Sequence, residues 1–302
     1  MTCVLLLFTL AMLPLTVASV FNDVLGPPSG AEYPLSPVPH SEAAATHTDL
    51  RVAAINLNEV QQTVTLRVTG YHICPTGCDW NDRVRLFAVS DDSDMEGFPP
   101  SVTITLPPSL DALTQNVELP VEGLPLRYPF DEYQLRLGVA LDRVQSDGTI
   151  QAVPPAEAVT HLFVTMQEEL AQHTMDAPIA VDPGTVQPSG TPIHYAYVAL
   201  LNFHRLLYVR VLAVLLVLLV TAAAAYAVFL RPLQDLVINA GALIIGIWGI
   251  RSVLTPSTVT YVTAVDLSLS VVILFLLGAI TVRAAVFLYR RSDLRTLRSR
   301  RD

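Results

Sequence analysis

The chain has 302 residues, 52% of them hydrophobic and only 15% charged, with a mean hydropathy of +0.47 and a formal net charge of −9. Soluble domains carry about a quarter charged residues, so much of this chain is destined for lipid rather than water. The charge is unevenly divided: residues 20–204 hold 7 basic and 23 acidic side chains, net −16, and residues 205–302 hold 11 basic and 4 acidic, net +7. An acidic first part repels nucleic acid and anionic headgroups, which excludes both as its partners.

In chain order, Val4 to Leu15 is an apolar run followed by the small residues Ala18 and Ser19. A run of roughly 12 residues with a small-residue exit predicts a signal peptide over residues 1–19, with retention as an N-terminal anchor as the alternative. Residues 20–48 are rich in Pro, Ser, Gly and Ala without periodicity and predict an extended spacer. From Asp49 the apolar period becomes two. Leu50-Val52-Ala54, Val64-Leu66-Val68, Val84-Leu86-Ala88, Val102-Ile104-Leu106, Val117-Leu119, Leu135-Leu137-Val139 and Leu162-Val164 read as strands punctuated by Pro, Gly, Asn and Asp. About seven strands at this spacing predict an exported all-β domain over residues 49–204, an antiparallel sandwich of immunoglobulin-like type.

Three apolar stretches follow, at residues 206–230, 233–254 and 267–289, each long enough for the roughly 20 residues that cross a bilayer. They predict a three-helix transmembrane bundle over residues 205–290. Arg290, Arg291, Arg295, Arg298, Arg300 and Arg301 crowd the end of the chain. Positive charge beside a final helix is retained in the cytoplasm, so residues 291–302 are read as a cytoplasmic tail and the β domain as extracytoplasmic. The reading is therefore a multi-pass protein of the cell membrane, with the lipid bilayer as its first partner.

Among residues that carry chemistry, Cys74-Pro75-Thr76-Gly77-Cys78 stands out. In an exported domain Cys74 and Cys78 read first as a disulfide; the functional alternative adds His72 and Asp79 as metal ligands or treats the pair as redox active. Asp91-Asp92-Ser93-Asp94-Met95-Glu96 is acidic but lacks the spacing of a calcium loop and reads as a solvated turn. His161, His173, His194 and His204 are scattered, and no hydrolase, zinc, phosphate-loop or dinucleotide motif is present, so no catalytic residue, metal or cofactor is assigned. Arg251, Asp266 and Arg283 lie near the ends of the spans: Arg251 and Asp266 bracket one loop and are placed to pair, and Arg283 is placed to snorkel. Ala242, Gly246 and Gly249 form a small-residue stripe that reads as close helix packing, within the chain or between copies.

The stretch Leu124-Pro-Leu-Arg-Tyr-Pro-Phe-Asp-Glu-Tyr133, with the later Arg251-Ser-Val-Leu-Thr-Pro256 and Val265-Asp266, resembles a family of bacterial membrane proteins catalogued as domain of unknown function 4436. That resemblance covers roughly residues 49–290 and implies the topology above; it implies no activity. Pro129-Phe130-Asp131 is also similar to the signature loop of pentameric ligand-gated channels. Those have four helices and a polar pore-lining second helix, whereas this chain has three and Ile238 to Ile250 is almost entirely apolar. From the residues themselves, Pro129 fixes a turn, Asp131 is placed to cap its amides, and Tyr128, Phe130 and Tyr133 are expected to anchor it by aromatic burial. The functional expectation is a non-enzymatic membrane protein whose exported domain binds an unknown protein partner or senses a condition. A subunit of a homo-oligomeric pore or transporter, and a copper or thiol-redox accessory protein, are the alternatives.

Overall fold

The computed structural model describes residues 30–36, 46–75, 77–90, 99–182, 193–230, 232–254 and 262–299. The signal peptide with Cys3, and the acidic turn Asp91–Glu96, lie outside them. The chain divides into two compact units, one β-rich (Phe21–Pro125 with Asp131–Leu206) and one helical (Leu207–Asp302 with Leu126–Phe130).

The strands of the β-rich unit are β1 (Glu32–Pro34), β2 (His47–Asn58), β3 (Thr63–Ile73), β4 (Trp80–Ala88), β5 (Ser101–Leu106), β6 (Ser109–Pro120), β7 (Glu122–Gly123), β8 (Glu132–Gln145), β9 (Ile150–Ala152), β10 (Leu162–Glu168), β11 (His173–Met175), β12 (Ile179–Ala180) and β13 (Tyr195–Arg205), with a short helix α1 (Pro155–His161) before β10. One sheet runs β1-β10-β2-β3-β6 and the other β11-β13-β8-β4-β5, with β7 and β9 beside β8 and β12 beside β13. The pairings are antiparallel except β2 with β10, which run parallel. All seven alternating runs of the sequence lie in strands. On β3, Val64, Leu66 and Val68 turn inward while Thr63, Thr65 and Arg67 turn outward, the period-two pattern of a half-buried strand. Inward residues of both sheets, among them Val52, Leu66, Val84, Leu86, Leu137 and Leu141, join in one hydrophobic cluster. Each such side chain contributes about 1.5–3 kcal/mol on burial.

Among the described residues thirteen strands stand where the spacing predicts about seven, the helix α1 is unexpected, and the parallel β2–β10 pair departs from an antiparallel sandwich. Glu32–Pro34, inside the expected spacer, pairs with β10 as a strand. The long strand β13 occupies the stretch just before the helices. Its Tyr197, Ala199, Leu201 and Phe203 enter the main cluster, while Tyr195 and Val198 join Phe87 and Ala140 in a smaller one. A strand buried on both faces has no polar alternation to announce it.

The helical unit holds α2 (Leu207–Leu230), α3 (Leu233–Leu254) and α4 (Ala264–Ser299), three helices long and apolar enough to cross a membrane. Ala213, Val220, Ala224, Leu236, Ile247, Val265, Leu269, Val272 and Leu276 form their shared cluster, which Tyr128 also enters. Large apolar side chains such as Phe229, Ile238, Ile245 and Leu274 face outward, where lipid rather than water is the compatible solvent. Backbone helix continues past the expected span end at Tyr289 to Ser299, so much of the expected tail prolongs α4. Ala242, Gly246 and Gly249 are exposed, and a Cβ built on either glycine meets nothing within 4 Å, so the stripe makes no close packing among the described residues.

Candidate functional site

The most concentrated buried charge in the β-rich unit gathers where four pieces of chain end. Arg205 is the last residue of β13, and Asp131 immediately precedes β8, the neighbouring strand. His173 opens β11 directly across from Arg205. Glu59 comes from the turn between β2 and β3, in the other sheet. Asp131 and Arg205 are 0% and 2% exposed. Arg205 Nε donates to both Asp131 oxygens, at 2.9 and 3.2 Å, and its Nη2 pairs with Glu59 Oε1. His173 Nε2 stands 3.7 Å from the same Glu59 oxygen, and the His173 ring meets Tyr133 edge-on at 6.0 Å. Gly123 makes room for that tyrosine: a Cβ there would fall 2.3 Å from Tyr133 Cδ1.

The electrostatics follow from burial. Desolvation first, and the Arg205 charge second, push His173 down to about 4, outweighing Asp131, so the imidazole is neutral near pH 7. Glu59 is raised, again chiefly by burial, with Arg205 opposing. The cluster thus holds one guanidinium between two carboxylates with a neutral imidazole beside them. Glu59, Asp131 and His173 offer ligand atoms within 4.8 Å of one another. Arg205 already supplies the positive charge there, so a metal ion is not what this set fits.

A second buried polar group bridges the sheets further along. Thr48 on β2 faces His72 on β3, and Asp82 reaches them from β4. Thr48 Oγ1 donates to Asp82 Oδ2 at 2.5 Å, and His72 Nδ1 lies 2.9 Å from both Thr48 Oγ1 and Asp82 Oδ2. Although the residue types match a nucleophile triad, the Thr48 hydroxyl is fully buried and committed to Asp82. Cys74 and Cys78, just beyond β3, have their sulfurs at disulfide distance.

The other sequence-derived residues fall as follows. Tyr128 and Tyr133 are buried, but Phe130 is 50% exposed and adds no aromatic anchor. The Asp131 carboxylate is taken by Arg205, not by the amides after Pro129. The amide of Phe130 instead donates to the Arg127 carbonyl at 2.8 Å, so the turn closes on its own backbone. In the helical unit Arg251 pairs with Asp266. Asp266 also accepts from the Thr263 amide at 3.0 Å while Thr263 Oγ1 accepts from the Asp266 amide at 3.2 Å, a capping box that starts α4 three residues before the expected Leu267. Arg283 donates to the Val228 carbonyl at 2.6 Å near the end of α2, where helix carbonyls lack partners.

Glu59, His173, Arg205, Thr48 and Asp82 carry no motif that sequence reasoning could have found; each becomes notable only through its neighbours in space. An open cavity of about 260 Å³, lined in part by Val89, Pro120, Val121, Glu122, Arg136 and Leu200, lies apart from both clusters. No family model and no curated protein matches the chain, so the resemblance drawn from Tyr128–Tyr133 and Arg251–Asp266 rests on those residues alone.

Proposed function

We propose that this chain is a non-enzymatic membrane protein whose exported domain, an immunoglobulin-like sandwich, senses acidity and passes its state to three transmembrane helices, with the arginine-rich end in the cytoplasm. The observation that carries this reading is the buried Arg205–Asp131–Glu59–His173 cluster. Asp131 directly follows the segment Leu126–Phe130 that groups with the helices, and Arg205 stands two residues before α2 begins. Within the β-rich unit the ion pair therefore joins the residue at which the chain leaves that segment to the end of the strand that leads into α2. A proton on His173 sets a second positive charge beside Arg205 and weakens the closed arrangement. Glu59, raised by burial, takes its proton more readily in the closed cluster and opposes that response. An opened cluster binds the histidine proton at its ordinary affinity, so acid drives the equilibrium toward the open form by population shift. The sealed Thr48 hydroxyl supports the non-enzymatic part of the reading, and the basic end of α4 supports the orientation.

Hydrogen exchange of the full-length protein in lipid nanodiscs, compared at neutral pH and at about pH 4, tests it. Exchange is corrected for its intrinsic pH dependence. The expected result is a loss of protection at residues 126–133 and 203–210 together in acid, abolished in His173→Gln. Unchanged protection at the start of α2, with loss confined to the strands, would refute the passage to the helices.

A further inference from the structure

We infer that Cys74, Cys78 and His72 form a binding site for a soft monovalent metal ion, copper(I), that the Cys74–Cys78 disulfide keeps closed. The two sulfurs and a ring nitrogen of His72 all lie within 4.8 Å of one another. His72 is 1% exposed, and among the described residues its buried Nε2 has no hydrogen-bond partner. The orphan nitrogen is also the one with the lone pair. The single proton of Thr48 Oγ1 goes to Asp82, so the contact between Thr48 Oγ1 and His72 Nδ1 needs its proton on Nδ1. Asp82 Oδ2, 2.9 Å from the same Nδ1, fixes that tautomer. A carboxylate holding one histidine nitrogen while the other faces a ligand is the outer-shell arrangement of metal-binding histidines. A buried lone pair with no donor is otherwise an uncompensated cost, which a metal ion would remove.

The donor set selects the ion. Two thiolates and one imidazole are soft, low-coordinate ligands that suit copper(I), whereas zinc requires a fourth ligand. Asp79, the sequence-derived candidate for a further ligand, is exposed and outside the group. Opening the site is a two-electron step. A dithiol reductant gives two electrons and two protons to the Cys74–Cys78 bond, producing two thiols, and leaves as its own disulfide. Copper(I) then displaces the two thiol protons, and the sulfurs separate to straddle it.

The test is anaerobic titration of detergent-solubilised full-length protein with copper(I) against a chromophoric copper(I) chelator, before and after reduction by a dithiol that is then removed. The expected result is one high-affinity copper(I) per chain after reduction and none before. Cys74→Ser/Cys78→Ser, at two half-buried positions of the loop after β3, is expected to lose the site. Asp82→Asn is expected to weaken it roughly 10–100-fold, with folding of both checked by circular dichroism. Equal binding by the oxidised and reduced protein, or by the double serine variant, overturns the inference. Zinc bound more tightly than copper(I) by the reduced protein overturns the assignment of the ion. If Asp82→Asn does not fold, sulfur and histidine signals in the copper X-ray absorption spectrum of the wild type decide: a spectrum without a nitrogen neighbour removes His72 from the site.

Discussion

Asp131→Ala removes one side of the most deeply buried ion pair in the β-rich unit. Both partners are at most 2% exposed, so Arg205 keeps its charge without water to replace the carboxylate. Breaking such a pair costs about 3–5 kcal/mol when the remaining charge is left alone. Glu59 still pairs with Arg205, which places the loss at the lower end, about 3 kcal/mol. Asp131→Asn keeps the volume and one acceptor oxygen for Arg205 Nε but loses the charge. The difference between a charge-assisted and a neutral hydrogen bond then sets its cost at about 1–2 kcal/mol. For a unit of this size each kcal/mol lowers the melting temperature by about 2–4 °C, so the alanine variant melts about 6–12 °C below wild type. The double variant Asp131→Leu/Arg205→Met removes both charges but leaves Glu59 without its partner, so it is expected to recover only part of the loss, although apolar replacement of an isolated buried pair is often neutral. Thermal unfolding of the full-length protein in mild detergent, followed by the β signal in circular dichroism, reads all three. An alanine variant as stable as wild type refutes the pair; a double variant worse than alanine alone refutes the buried-charge reasoning.

His173→Gln is expected to flatten the stability profile in acid. The native His173 value of about 4 lies below the ordinary 6.5 of histidine, so its contribution is present above 6.5 and is lost as pH falls through about 4. The wild type should lose up to about 3 kcal/mol from this group, measured by denaturant titration at several pH values. Glu59, raised by burial, contributes in the opposite sense: its stability is present below its unfolded value of about 4.5 and lost as pH rises through the native one. Glu59→Gln should therefore steepen the acid loss, and a shallower profile would contradict the sign. Gly123→Ala forces a Cβ to 2.3 Å from Tyr133 and 2.9 Å from the Glu132 carbonyl, and melting should show a loss of about 1–3 kcal/mol. Asp266→Ala removes the capping box and the partner of Arg251, and should raise exchange of the first amides of α4 by about tenfold, a loss of about 1 kcal/mol. A reporter inserted at the exposed Gly148 turn should be active only outside the cytoplasm, and one fused after Asp302 only inside; the reverse pattern sinks the topology.

The period-two runs and the long apolar stretches were readable because one physical variable, burial, imposes each of them directly on the order of residues. Strand β13 escaped for the same reason. Tyr195-Ala-Tyr-Val-Ala-Leu-Leu is apolar on both faces, so it shows no alternation, although Asn202, His204 and Arg205 set it apart from the membrane segment that follows. The Cys74–Cys78 pair was readable because only four positions separate the cysteines. The charge cluster was not, since Glu59, Asp131, His173 and Arg205 span almost 150 positions and meet only through strand pairing across two sheets. Asp131 itself was singled out, but with the wrong partner: a local rule about turns pointed to nearby amides, and a distant arginine took the carboxylate instead.

Both buried polar groups bridge the two sheets, and neither is needed to close the core. The core cluster is built of Val, Leu, Ile, Ala, Phe, Tyr and Met, and apolar side chains in place of Thr48, His72 and Asp82, or of Asp131 and Arg205, would avoid the desolvation of these polar and charged groups. What an apolar core lacks is a second state that a small chemical event can reach. One cluster changes by protons, at His173 and Glu59. The other changes by two electrons, at the disulfide beside His72. On the readings proposed above, each accepts a cost in stability for a response, and the two are separable: His173→Gln should abolish the acid response and leave copper(I) binding intact, while Cys74→Ser/Cys78→Ser should do the reverse. Loss of both properties in either variant would mean that the domain simply unfolds, and that neither cluster is a switch.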